Sequence, residues 1–208
     1  VYKRQYLESA KRGVNRIGSI VQNLADAANL EEALQSEDFD PVDLDQLLEN
    51  YVNNYNLTHP NASIVYSGTN SPVLTMASDY RVEQMMDKIM DNALDFHRKD
   101  TTIRVQLDKI DNLLRITVAN RGRILSPSVE NSLFDSMVSH RDQHNRLHFG
   151  LGLYVVRVIA EHHGGHVRAV NLSDNSGVAV VVQLPIQDNL LNVETGEAIK
   201  GPETQLAS

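Results

Sequence analysis

One stretch constrains the rest of the chain: Gly150-Leu151-Gly152-Leu153, then the apolar run 154–163, then Gly164-Gly165. Leu151, Val155, Val158 and Ile159 recur at helical spacing, so one face of a helix here must pack inward. Glycines ahead of a helix let the backbone come close to a ligand. The free N–H groups of a first helical turn, at the positive end of the helix dipole, suit a phosphate. A loop, a buried helix and a glycine C-cap account for the same residues without a ligand. Short glycine motifs are weak evidence alone, so the chemistry has to be sought elsewhere in the chain.

The length, 208 residues, suffices for one domain of ordinary size plus an appendage. Hydrophobic residues make up 41%, with no Trp and 4 Phe, so the core must be mostly aliphatic. A net charge of −8 argues against a general nucleic-acid binder. The absence of Cys excludes disulfides and Cys-ligated zinc, and leaves the redox compartment open. No apolar run approaches the length of a membrane span, and no signal-peptide pattern is present. Val1 falls inside a helical pattern and is not preceded by Met, so the chain reads as a piece of a larger protein.

From residue 1 to about 32 the pattern predicts one long helix. Leu7, Ala10, Val14, Ile17, Val21, Leu24 and Ala28 form a heptad stripe that another helix must cover. No partner of matching length follows, which implies pairing between chains or with a segment outside this sequence; packing on the main domain is the plainer alternative. A polar hinge is expected over 35–41, closed by Pro41, then a helix over 42–55 and short strands over 61–67 and 73–77 around a 68–72 turn. The third helix spans 79 to about 97 with Asp79 as N-cap; Asn92 sits within its apolar face, where an amide needs a reason. Strands 102–107 and 113–119 follow, joined by 108–112, and the second exits into Asn120-Arg121-Gly122. A short helix is expected over 126–135 and a polar, mobile loop over 136–148. Two strands, 166–171 and 177–184, complete the fold, and 187–208 reads as a disordered tail. This order predicts an α+β sandwich, a mixed sheet with helices on one side.

Asn92 on a helix, Asn120-Arg121-Gly122 at a strand end, and the Gly150/Gly152 turn after a polar segment resemble the ATP-binding domain of sensor histidine kinases, within the wider Bergerat-fold ATPases. Residues 90–96 are similar to the family's Asn box, 118–122 to its first glycine box, and Leu133-Phe134-Asp135 to its Phe box. Gly150-Leu151-Gly152-Leu153 is similar to the second glycine box, and Gly177 to the closing glycine turn. Each is loose alone; five in this order, on these elements, carry the resemblance over about 79–185. The first helix resembles the second helix of the kinase dimerisation hairpin. The runs 133–141 and 171–178 resemble a proteobacterial subgroup associated with dedicated sortase systems. The resemblance implies three parts: a partial dimerisation and phosphoacceptor hairpin over 1–34, a catalytic ATP-binding domain over 40–186, and the tail over 187–208.

The implied roles transfer residue by residue. Asn92 would bind Mg²⁺ bridging the ATP phosphates through its hard amide oxygen; the alternative is an Asn hydrogen-bonded in the core. Asn120 stands where the family usually has an Asp that accepts the adenine amino proton. Its carbonyl can still accept, without charge assistance, and its NH₂ can also donate. Gly122 would admit the base, residues 148–153 with Gly150, Leu151, Gly152 and Leu153 would wrap the phosphates, Gly177 would close the pocket, and Phe134 with Met137 would anchor a lid. Four positions depart from the family: Asn120, Ile124, His148 and Asp95, the last replacing a basic residue that faces phosphate. Lys88 or Arg141 would supply that charge, or either is simply a solvated cation. Lys88 also occupies the place of the Glu base of the hydrolysing relatives, which favours phosphoryl transfer to a protein over hydrolysis.

None of the 8 His residues lies in the family's acceptor box. His162, His163 and His166 suggest metal, but only Glu161 accompanies them. The function implied is the kinase domain of a two-component sensor, passing the γ-phosphoryl of ATP to a His on a dimerisation helix outside this sequence and thence to a response regulator. The resemblance further implies a homodimer through the first helix and a cytoplasmic portion of a membrane-bound sensor, with no nucleic acid and no membrane contact from this piece. The alternatives are a catalytically degenerate nucleotide-binding module and a dimeric scaffold.

Overall fold

The computed structural model describes residues 13, 14, 18, 21, 25, 29–69, 71–126, 133, 134 and 151–186. Helix α1 (29–35) is followed by β1 (Asp40–Asp43), α2 (Leu44–Thr58), β2 (Ser63–Ser67), β3 (Leu74–Ala77) and α3 (Asp79–Phe96). Then come β4 (Thr102–Ile110), β5 (Leu113–Arg121), α4 (Leu151–His162), β6 (His166–Asn171) and β7 (Gly177–Pro185). Of the expected helix over 126–135, only 126, 133 and 134 are described; the 136–148 loop and the 187–208 tail lie outside the described residues.

Strict alternation makes the sheet one-faced. Ile103, Val105 and Leu107 of β4 are buried while Arg104 and Gln106 are exposed, and Leu114, Ile116 and Val118 of β5 are buried in step. Register aligns the β5 set with Leu184, Val182 and Val180 of β7. The five strands run in the order β2-β4-β5-β7-β6, with β2 parallel to β4 and all other pairs antiparallel. The inward face of α3, Val82, Met85, Met86, Ile89, Met90 and Ala93, joins the same aliphatic core as Val155, Val156 and Ile159 of α4. A mixed sheet with its helices on one side is the expected sandwich.

Several local expectations are corrected by pairing at a distance. The 61–67 and 73–77 segments do not form a hairpin. β2 joins the main sheet beside β4, whereas β3 pairs antiparallel with β1 in a separate two-stranded sheet. The supposed hinge ends in that strand: Asp40 faces Ala77 and Pro41 faces Met76. Proline is tolerable there because a two-stranded ribbon is all edge. The β4–β5 turn needs only Asp111 and Asn112, Asp111 taking a left-handed φ of 51°. The N-cap of α3 is Ser78, one residue earlier than expected: its hydroxyl accepts from the Arg81 N–H at 3.4 Å. α2 is capped by Asp43, whose carboxylate accepts from the N–H groups of Asp45, Gln46 and Val73.

The expected glycine C-cap of α4 is a full Schellman arrangement. Gly164, at φ 71°, donates to the Glu161 carbonyl at 3.0 Å, and Gly165 donates to the Ala160 carbonyl at 2.8 Å. Gly165 is also pressed against β7, where a Cβ would collide with the Gln183 carbonyl. Leu30 and Leu34 of α1 are buried in the core, while Val14 and Val21 of the heptad stripe are 67% and 60% exposed.

Candidate nucleotide site

A cavity of about 530 Å³ opens between α3, the end of β5 and the start of α4. Lys88 and Asn92 reach it from α3, Asn120 from β5, and Gly152 and Leu153 from α4, so five of the expected site residues meet in one place. Helical spacing of four puts Lys88 and Asn92 on one face of α3. The Asn92 amide is half-buried and its Nδ2 donates to the Lys88 carbonyl at 2.7 Å. A carbonyl can only accept, so this bond fixes the amide and leaves Oδ1 as its other end. A Cβ added to Gly152 would lie 3.7 Å from Asn92 Nδ2 and 4.0 Å from Lys88 Cδ. The glycine therefore leaves open a cradle beside both polar groups.

Asn120 occupies the other end. It is 8% exposed, and its Nδ2 is buried with no hydrogen-bond partner among the described residues. An orphaned buried donor costs about 1–3 kcal/mol, and such atoms call for an explanation in a bound group. Apolar walls surround this end: Val118 beside it on β5, Val178 and Val180 across on β7, and Ile124 and Leu125 in the loop after β5. The loop is held by Asn171, whose Oδ1 accepts from the Leu125 N–H at 2.8 Å and whose Nδ2 donates to the Leu125 carbonyl at 3.0 Å.

The other expected residues that are described sit around the cavity rather than in its lining. Gly122 crosses the end of α3: it bridges to His97, donates to the Ser176 carbonyl at 2.9 Å, and has no room for a Cβ against the Phe96 carbonyl. Gly177 begins β7, directly against the Asn120 carbonyl. Phe134 is buried in the core, and its neighbour Leu133 contributes to the wall instead. Leu151 is the first residue of α4, while Arg141 and Gly150 lie outside the described residues.

Sequence reasoning missed Asp91, Arg123, Leu125, Asn171 and the β7 valines. The alternation of 177–184 carried a signal for Val178 and Val180; nothing local marked Asn171. Asp91 and Asp95 add negative charge to the cavity beside the cations Lys88 and Arg123. The Asp91 carboxyl is pushed above the usual carboxylate range by burial, and by Asp87 and Asp95 nearby, against the pull of Lys88. Placing a polyphosphate here therefore requires added positive charge.

His162 and His163 pack between α4 and the segment before β1. His163 is buried; its Nδ1 donates to the Ile159 carbonyl at 2.8 Å and its Nε2 accepts from the Ser78 N–H at 3.2 Å. Phe39 stacks on it at 4.5 Å and meets His162 edge-on at 5.0 Å.

Fold and cavity together define a two-layer α+β sandwich of the Bergerat ATP-binding type. The chain belongs to the family of histidine kinase-, DNA gyrase B- and HSP90-like ATPases, whose sequence profile matches residues 77–188, more than half of the chain. It is homologous to two-component sensor kinases. The sensor protein DltS of Streptococcus agalactiae (serotype V strain) is 24% identical over 184 residues, covering 88% of this chain and 46% of that protein. The sensor protein ChvG of Agrobacterium fabrum is 26% identical over 187 residues, covering 85% and 31%. The chain thus spans less than half the length of these relatives. Among solved structures, the catalytic domain of the histidine kinase ThkA superposes with a TM-score of 0.63 at 20% identity, covering 72% of this chain and 97% of that one. Full-length ShkA in complex with AMPPNP gives 0.67 at 22% identity, covering 89% and 39%. At these identities the superpositions establish the fold.

Proposed function

We propose that this chain is the ATP-binding catalytic part of a two-component sensor histidine kinase, and that ATP·Mg²⁺ lies in the cavity with its phosphates toward Lys88, Asn92 and Gly152 and its base toward Asn120. The observation that carries this reading is the division of one cavity into a polar end, with a fixed amide, a cation and a glycine cradle, and an apolar end with one buried amide. The residues fit the metal: Asn92 Oδ1 is a hard oxygen, and the carboxylates of Asp91 and Asp95 make a phosphate-bridging cation necessary for charge balance. Mg²⁺ when bound would neutralise phosphate charge and orient the chain of phosphates. Lys88 adds a second positive charge, where the hydrolysing relatives place a carboxylate base. Gly122, Gly177 and Phe134 act as packing supports that place the base-facing strand end, and Gly150, Leu151 and Leu153 belong to the turn that meets the phosphates. Arg141 would approach them from the loop before it.

Catalysis here is positioning and charge neutralisation. The γ-phosphoryl passes to an imidazole nitrogen: a P–N bond forms as the bond to the β-phosphate oxygen breaks, and ADP leaves. The acceptor His belongs to a dimerisation helix contributed from outside 1–208, and the phosphoryl moves on to a response regulator. The segment 1–34 would be the second helix of that dimerisation hairpin and the seat of a homodimer, 40–186 the catalytic domain, and the whole the cytoplasmic portion of a membrane-bound sensor of the dedicated-sortase subgroup. Among the described residues, no helix is long and apolar enough to cross a membrane.

Calorimetric titration tests the site. ATP should bind in the micromolar to millimolar range, about −4 to −8 kcal/mol, and only with Mg²⁺ at full strength. Asn92→Ala should weaken ATP·Mg²⁺ far more than adenosine; equal losses for the two ligands would refute the metal role.

A further inference from the structure

Resting on the nucleotide reading of this cavity, we infer that Asn120 makes the base subsite accept 6-oxopurine nucleotides, inosine and guanosine triphosphates, alongside ATP. The backbone here is fixed: β5 pairs Asn120 with Val178 of β7, and Gly177 packs against the Asn120 carbonyl with no room for a Cβ. The side-chain amide is not fixed. It is 8% exposed, it lines the cavity, and its Nδ2 has no hydrogen-bond partner among the described residues. Val118, Val178, Val180 and Leu125 around it are apolar, so their side chains cannot satisfy that donor.

Purine chemistry then decides what the amide selects. The six-edge of adenine presents a donor, the exocyclic amine, beside an acceptor, N1. The same edge of hypoxanthine or guanine presents an acceptor, O6, beside a donor, N1–H. A carboxylate can only accept, so it favours adenine and repels O6. An amide carries one acceptor and two donor hydrogens on opposite arms. A half-turn about its last side-chain torsion presents either order, and each purine supplies a partner for Nδ2. Rejection of an analogue depends on leaving a buried polar group unpaired. With Asn120 neither base leaves one, so discrimination collapses.

Competition against a fluorescent trinitrophenyl nucleotide on the 208-residue chain tests this, with ATP, ITP and GTP as competitors. ITP isolates the six-edge, since hypoxanthine lacks the 2-amino group. ITP should bind within about tenfold of ATP, and Asn120→Asp should shift the ratio toward ATP by about tenfold or more. A wild-type preference for ATP beyond that tenfold margin would overturn the inference. So would an unchanged ATP-to-ITP ratio in Asn120→Asp with both nucleotides still bound. Asn120→Leu guards against a variant that fails through a buried charge. It keeps the side-chain size, removes the unpaired donor, and should melt no lower than wild type while weakening both nucleotides alike; wild-type affinities for both in this variant would also overturn the inference. Displacement by none of the three nucleotides would overturn the nucleotide reading itself, a result distinct from tight, selective ATP binding.

Discussion

His163 cannot take a second proton without losing the bond that ties α4 to α3. Its Nε2 accepts from the Ser78 N–H, and a protonated ring would set two donors face to face. Burial holds its pKa below the ordinary 6.5, against the Ile159 carbonyl, which favours the charged form; His162 and Arg81 oppose the charge and Glu37 favours it. A folded pKa below the unfolded one means that the unfolded chain binds the proton first. The contribution is therefore whole above about pH 6.5 and is lost as pH falls from there through the folded value. Thermal melts between pH 8 and 5 should show the melting temperature falling on the acid side. His163→Gln, with an amide oxygen to accept from Ser78, should flatten that dependence; an unchanged slope would mean that other groups set it. At this scale the sequence singled out Asn92, a polar residue inside an apolar periodic run, and the structure puts it with Asn120 in the lining of one cavity. The sequence could not assign His163, whose neighbours Phe39, Glu37 and Ser78 come from two other places in the chain.

The N-terminus of α3 shows how elements are locked. Ser78 caps the helix and donates to Glu37 Oε1 at 2.7 Å, while Arg81 donates to Glu37 Oε2 at 2.6 Å. Glu37 is held below the usual carboxylate range: burial alone would raise it, but the bonds from Arg81 and Ser78 outweigh that. The segment between α1 and β1 is thus pinned to the helix that carries Lys88 and Asn92. Ser78→Ala should cost about 0.5–2 kcal/mol, the usual range for a lost cap, read as a lower denaturation midpoint with an unchanged slope. Gly165→Ala probes the opposite end of the helix layer. Its Cβ would strike the Gln183 carbonyl, so β7 or α4 must shift, at about 1–3 kcal/mol as for other overpacking. A Gly165→Ala chain as stable as wild type would show that the junction yields freely. The Gly-Gly pair was legible as a helix stop; that the second glycine also serves strand contact was not.

For the molecule as a whole, the proposed function predicts where label from ATP can settle. The cavity opens between α3 and α4, and the exposed Val14 and Val21 belong to the stripe that a second helix would cover. Incubated with γ-labelled ATP, the 208-residue chain should bind nucleotide yet gain no stable label, because none of its 8 His residues lies in an acceptor box. A version extended upstream to include an acceptor-bearing helix should dimerise and gain an acid-labile, base-stable label. Such a label on the 208-residue chain itself would place the acceptor within it.

The sequence by itself determined the described helices and strands other than β1, the inward face of α3 and the glycine stop of α4. All of these rest on spacing within a few residues, two in a strand and three or four in a helix, which a chain displays without folding. The tertiary structure alone decided which strands pair. Val65 faces Arg104 in the main sheet, whereas Ala77 faces Asp40 in the small one, although 61–67 and 73–77 read equally as short strands. It alone brought Val178 and Val180 to the cavity wall and Asn171 to the loop that carries Leu125. It also placed Leu30 and Leu34 of α1 in the core. The physical reason is that a backbone hydrogen bond has the same chemistry whatever its partner. Alternation says which face a strand buries, but the partner strand is chosen by how all the buried faces close over one core.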